Sequence, residues 1–118
     1  MQRDLLLITE MIAAASQARE RVADRSLHDL EGDHQRRDAL LWNITVLGEA
    51  AAQLSEQTKE SFPEIPWQRP AQLRNRIVHG YWSIDLEVVH TVATDVLPGL
   101  ILQLEAVRRA LDSQPPGD

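Results

Sequence analysis

The chain has 118 residues, 43% hydrophobic and 25% charged, with no cysteine and a net charge of −6. That length bounds one compact domain, the missing cysteines exclude disulfides and thiolate metal sites, and the acidic balance argues against indiscriminate coating of nucleic acid, which phosphate neutralisation has to drive. No apolar run nears the roughly 20 residues of a membrane span, and Leu5–Ile8 passes straight into Thr9 and Glu10, unlike a secretory leader, so a cytoplasmic protein with no membrane association is expected.

Leu5, Ile8, Ile12, Ala15 and Val22 recur at helical spacing and predict a first helix over 3–24. Residues 26–32 break the pattern, and Asp33 is placed to cap a second helix over 34–57. Its core stripe is Leu40, Ile44, Leu47, Ala51 and Leu54, while Gly48, Ala50, Ala51 and Ala52 allow a neighbouring helix to approach closely. Thr58 is expected to cap a short turn through Phe62, and Pro63, Pro66 and Pro70 make 63–69 a rigid connector. A short third helix over 70–79 then ends at Gly80, expected in the left-handed position past a C-terminus. Ser83 or Asp85 caps the last helix, whose apolar positions run from Leu86 past Pro98 to Leu111; Pro98 should kink this helix without ending it. The expected fold class is therefore all-α, a four-helix up-and-down bundle with an additional short helix, forming one domain over 1–112 with a flexible tail over 113–118.

Charge is distributed unevenly along this frame. Between Ile65 and Ile84 there is no Asp or Glu, while Arg69, Arg74, Arg76 and His79 all lie in that window. Eleven of the twelve basic residues are arginine, the side chain suited to bidentate contacts with phosphate.

The same window holds Arg74-Asn75-Arg76-Ile77-Val78-His79-Gly80-Tyr81-Trp82, which brings guanidinium, amide, imidazole and phenol together. It resembles the R-x4-H-x-Y signature of the HepT-like branch of the HEPN superfamily. Gly48-Glu49-Ala50, Phe62-Pro63-Glu64-Ile65-Pro66-Trp67 and Asp95-Val96-Leu97-Pro98 also sit where that family places similar words. The resemblance implies a metal-independent endoribonuclease toxin that acts on RNA without a cofactor and is silenced by a minimal nucleotidyltransferase antitoxin. It further implies that His79 and Arg74 act on the scissile phosphate, that Asn75 is an accessory polar group, and that Tyr81 is the hydroxyl receiving AMP. The alternative within the family is a non-catalytic adaptor that binds nucleotide or serves such a nucleotidyltransferase.

The residue chemistry points the same way. Metal-free RNA cleavage needs a group to take the 2′-hydroxyl proton, which suits an imidazole, and fixed positive charge for the phosphorane-like transition state, which suits a guanidinium. Residues five apart on a helix are about 140° apart around its axis, so Arg74 and His79 do not share a face, whereas Asn75 and His79 do. Either the helix loosens near Gly80, or two copies of the motif meet in a homodimer; the resemblance implies the second.

The plainer readings stand beside these. His79 suits a helix C-terminal cation, and Arg74 an ion-pair partner of Glu49, a role compatible with catalysis. Arg69 and Arg76 are expected to contact solvent or the RNA backbone, and Trp82 to be a packing aromatic. Trp42, Thr45, Glu49 and Gln53 form a second stripe on the second helix, facing a cleft, a partner or solvent. His28, Asp29, Asp33 and His34 read as loop and cap residues, with no metal site.

Overall fold

The computed structural model describes residues 2–113, and every regular element among them is helical, so the all-α expectation holds. Helix α1 spans Gln2–Val22. It stops short of the expected residue 24 because Asp24 adopts the left-handed conformation, φ 56°, which a short polar side chain tolerates just past a helix end. Residues 26–32, read from sequence as a break, contain helix α2, Leu27–Glu31. A reciprocal capping box supports it: Asp29 N donates to Ser26 Oγ at 3.1 Å and Ser26 N donates to Asp29 Oδ2 at 3.0 Å.

Helix α3 spans His34–Gln53, with Asp33 accepting from Arg36 N at 3.1 Å as expected of its cap. The predicted continuation to 57 is wrong. Leu54 turns extended (φ −61°, ψ 147°) and a separate helix α4, Glu56–Ser61, begins after Ser55. Ser55, not Thr58, is the cap, accepting from Thr58 N at 3.2 Å. The cause lies 51 residues upstream: Ser55 N and Oγ donate to the two oxygens of Asp4 at 3.2 and 2.5 Å, and Thr58 Oγ1 donates to Asp4 Oδ2 at 2.5 Å. Asp4 is buried, with 1% of its surface exposed. Burial pushes its carboxyl pKa up, but the hydrogen bonds from Ser55 and Thr58 outweigh this and hold it below the ordinary aspartate value.

Helix α5, Gln68–His79, starts two residues before the expected Pro70, which still falls within its first turn. Gly80 is not left-handed as expected: its φ is −145°. The chain folds back in a 3₁₀ turn, Tyr81–Ser83, closed by Ser83 N donating to Gly80 O at 2.9 Å. A Cβ on Gly80 would meet Arg76 O and Ser83 Oγ, both at 3.2 Å, so close approach, not positive φ, favours glycine here.

Asp85 caps helix α6, Leu86–Thr91, by accepting from Glu87 N. One π turn, Val92–Val96, then joins it to helix α7, Leu97–Asp112. The irregularity expected at Pro98 thus appears just before it, with Leu97 N donating to Val92 O. Proline has no N–H for the α ladder and its ring crowds the carbonyl four residues back, so the helix widens there and continues. The tail from 114 onward lies outside the described residues.

Helix α1 packs between α3 and α7, and α5 lies on the other flank of α3. Ile8, Met11, Leu40, Leu41, Ile44, Leu47, Leu97 and Leu104 fill the shared interior, each contributing about 1.5–3 kcal/mol by leaving water. Asn43 is a buried polar link in it, donating to Gln17 Oε1 at 2.9 Å and accepting from Arg21 Nε at 3.4 Å. Helix α5 buries only Ile77, so most of its surface is presented outward, and the polar window predicted from sequence lies there.

Candidate active site

The seat of α5 on α3 is set by Gly48. A Cβ placed there would fall 2.4 Å from Arg74 Cβ and 2.4 Å from Pro70 O. The expected close approach of a helix is therefore made by α5 itself, and it fixes where Arg74 leaves the backbone.

Arg74 is half-buried. Its Nη2 lies 3.5 Å from Glu49 Oε2, while Nε is buried with no acceptor among the described residues. Glu49 is in turn held by Gln53, whose Nε2 donates to Oε1 at 3.0 Å. Arg3 extends the chain by donating to Gln53 O at 2.9 Å and to its Oε1 at 3.3 Å. The ion-pair reading of Arg74 with Glu49 thus holds, and helices α1, α3 and α5 all contribute to the guanidinium's position. This network borders a groove of about 430 Å³ lined mainly by apolar atoms of Leu7, Trp42, Val46 and Val78. Trp42 is 66% exposed and Val78 53%.

His79 is exposed at the end of α5, which stays α-helical through that residue. It lines a separate concavity of about 300 Å³ with Arg76, Gly80, Ser83, Ile84 and Asp85. Asn75 is exposed and borders a third, about 660 Å³, beside Trp67, Gln68 and Gln72. Arg69 is exposed at the start of the same helix.

Tyr81 points elsewhere again. Its hydroxyl donates a short hydrogen bond to Asp38 Oδ1 on α3. That bond raises the phenol pKa and lowers the Asp38 carboxyl pKa from their ordinary values. Asp38 and Glu49, the partners of Tyr81 and Arg74, are eleven residues apart on one helix, about 16 Å along its axis. The protomer therefore does not bring the phenol, the imidazole and the guanidinium to a single cleft. Sequence reasoning missed Asp38, although a signal existed: Asp38, Trp42, Thr45 and Glu49 follow at helical steps, so Asp38 begins the stripe already noticed.

Trp82 corrects the expectation of a packing aromatic. It is 95% exposed, its ring edge-to-face with Tyr81 at 5.5 Å between centroids. Tyr81 reaches α3 through Asp38, while Trp82 beside it in the 3₁₀ turn stays in solvent.

No group of three or more His, Asp or Glu among the described residues is arranged to hold a metal ion. Asp29 and Asp33 serve as helix caps. No described helix is long and apolar enough to cross a membrane.

Residues 11–107 match the family model described as "Ribonuclease HepT-like". Among curated proteins, the chain is 24% identical over 91 residues to "Putative RNase MJ0127" of Methanocaldococcus jannaschii, covering 77% of this chain and 75% of that one. It is 27% identical over 77 residues to "Probable ribonuclease HepT" of Thermococcus cleftensis, covering 65% and 70%. It is 24% identical over 98 residues to "Putative RNase MJ1380" of Methanocaldococcus jannaschii, covering 83% and 90%. No solved structure matches.

Proposed function

The chain belongs to the HepT-like ribonuclease family, and from that premise we propose that it is a metal-independent endoribonuclease of the cytoplasm whose catalytic centre is completed by a second copy of the chain. His79 takes the proton from the 2′-hydroxyl, Arg74 stabilises the charge developing on the phosphate, and Asn75 is an accessory polar group. Arg69 and Arg76 contact the RNA backbone, and Glu49 holds Arg74 in position. The 2′-oxygen bonds to phosphorus as the bond from phosphorus to the 5′-oxygen breaks, the proton taken by His79 passes to that leaving oxygen, and the product ends in a 2′,3′-cyclic phosphate.

The observation that carries this reading is the separation of Arg74 and His79 into two concavities on one unbroken helix. A groove with exposed Trp42 and Val78 beside the Arg74–Glu49 pair supports a two-fold neighbour there. Two motifs facing each other across an axis provide imidazole and guanidinium together. We extend the proposal to the cell: the protein is a toxin, and a minimal nucleotidyltransferase silences it by transferring AMP to Tyr81.

The direct test is to incubate purified protein with RNA in excess EDTA and analyse the product ends. Cleavage that persists under chelation, yields cyclic phosphate and disappears in His79→Ala is expected. Activity that needs a divalent ion, or that survives His79→Ala undiminished, contradicts the mechanism.

A further inference from the structure

Trp82 is the largest side chain type, and it stands in water. A free-standing indole gains nothing from burial, yet this one is held by a short turn and by edge-to-face contact with Tyr81. Tyr81 is itself tied to α3 through Asp38. The exposed ring therefore rests edge-to-face against a tyrosine that α3 anchors.

Beside it lies a concavity of about 350 Å³ lined by His34, Arg37, Leu41, Tyr81, Trp82 and Ile84, within the size range of small-ligand sites. No carboxylate lines it. Asp38 accepts from the Tyr81 hydroxyl and pairs with Arg37, whose Nη2 is 3.4 Å away. An aromatic face with a guanidinium and an imidazole at its edge, in a chain of net charge −6, complements a planar ligand carrying an anion. Ile84 lines both this concavity and that of His79, so the two adjoin.

Building on the ribonuclease reading above, we propose that Trp82 is a stacking platform for one unpaired base of the RNA substrate, with Arg37 and His34 meeting the adjoining phosphate. A strand laid past His79 reaches Trp82 at the neighbouring subsite across Ile84. Stacking of this kind tolerates any base but requires it to be unpaired, so the subsite selects single-stranded RNA over duplex.

The test uses the full chain and a short fluorescein-labelled 2′-O-methyl oligoadenylate, which cannot be cleaved because its 2′-oxygen is blocked. By fluorescence anisotropy, Trp82→Ala is expected to weaken binding by roughly five- to 150-fold, the range of one base–aromatic stack. Trp82→Leu should lose as much and Trp82→Phe less, because only the latter keeps a π face. Affinity for a duplex of the same length should change little in all three. Sedimentation on the same samples should show an unchanged assembly. Equal affinity of Trp82→Ala and wild type overturns the subsite while leaving the ribonuclease reading intact. So does lost affinity accompanied by dissociation, which would assign Trp82 to a protein interface. A wild-type protein that neither binds nor cleaves single-stranded RNA removes both proposals.

Discussion

Gly48 packs directly under Arg74: a Cβ on Gly48 would lie 2.4 Å from Arg74 Cβ. The helix carrying the candidate chemistry is thus seated on α3 at a position where one added methyl forces the two apart. Gly48→Ala is expected to cost about 1–3 kcal/mol, the usual penalty for overpacking, and to displace Arg74 enough to reduce RNA cleavage. Thermal unfolding and a cleavage assay on the same variant check this. An unchanged melting temperature would show that the helices yield without strain.

Arg74 offers a forked, planar cation, and lysine offers a point charge. Arg74→Lys should reduce cleavage at least about tenfold, the loss of about 1.4 kcal/mol of transition-state stabilisation, while the midpoint of unfolding barely moves. Glu49→Gln removes an ionic contact that is partly exposed, so its effect on stability should stay under about 1 kcal/mol. Comparing kcat with KM across the two variants separates positioning by Glu49 from direct action by Arg74. Equal cleavage by Arg74→Lys and wild type would remove Arg74 from the mechanism.

The groove beside Arg74 should close against a second copy. Trp42→Glu places a charge on its exposed rim and is expected to give a folded monomer with little or no cleavage activity. Light scattering and circular dichroism report the two properties independently. A fully active monomer contradicts the composite site.

Tyr81→Phe removes the hydroxyl that donates to Asp38. The side chain is only partly buried, so the variant should fold and retain cleavage, yet gain no mass when incubated with a minimal nucleotidyltransferase and ATP. Wild type should gain the mass of AMP and lose activity, since the new phosphate competes with the RNA backbone. Equal labelling of both proteins would place the modification elsewhere.

Acid should weaken the tie between α1 and the α3–α4 junction. The pKa of Asp4 is lowered in the folded chain, so its contribution is fully present above its unfolded value, near 3.8, and is lost as pH falls through the folded value. Asp4→Ala should cost about 2 kcal/mol at neutral pH by stranding the donors of Ser55 and Thr58. Urea unfolding at pH 7 and pH 3 should show a smaller pH effect in Asp4→Ala than in wild type. An identical pH dependence would mean the contribution of Asp4 is negligible.

What depends on near neighbours along the chain is legible in the order of the residues. Apolar residues at helical spacing marked α1, α3 and α7, Asp33 and Asp85 announced caps that need only the next turn, and Gly48 with its alanines announced a close helix. The acid-free window and the words around Arg74 and His79 pointed to a family and its chemistry. Features that rest on partners distant in sequence emerge only when the helices pack. The break at Leu54 follows from Asp4, which reaches Ser55 and Thr58 across the bundle, and periodicity through 34–57 carries no trace of that partner. Asp38 captures Tyr81 from 43 residues away, turning the phenol from the histidine beside it in sequence. Nothing in the residues around Trp82 distinguishes a packing aromatic from an exposed one; the 3₁₀ turn after Gly80 leaves it in solvent. Composition records which groups are available, while direction is set by a few backbone angles at turns and helix ends, where short-range preferences are nearly balanced and the long-range contact decides.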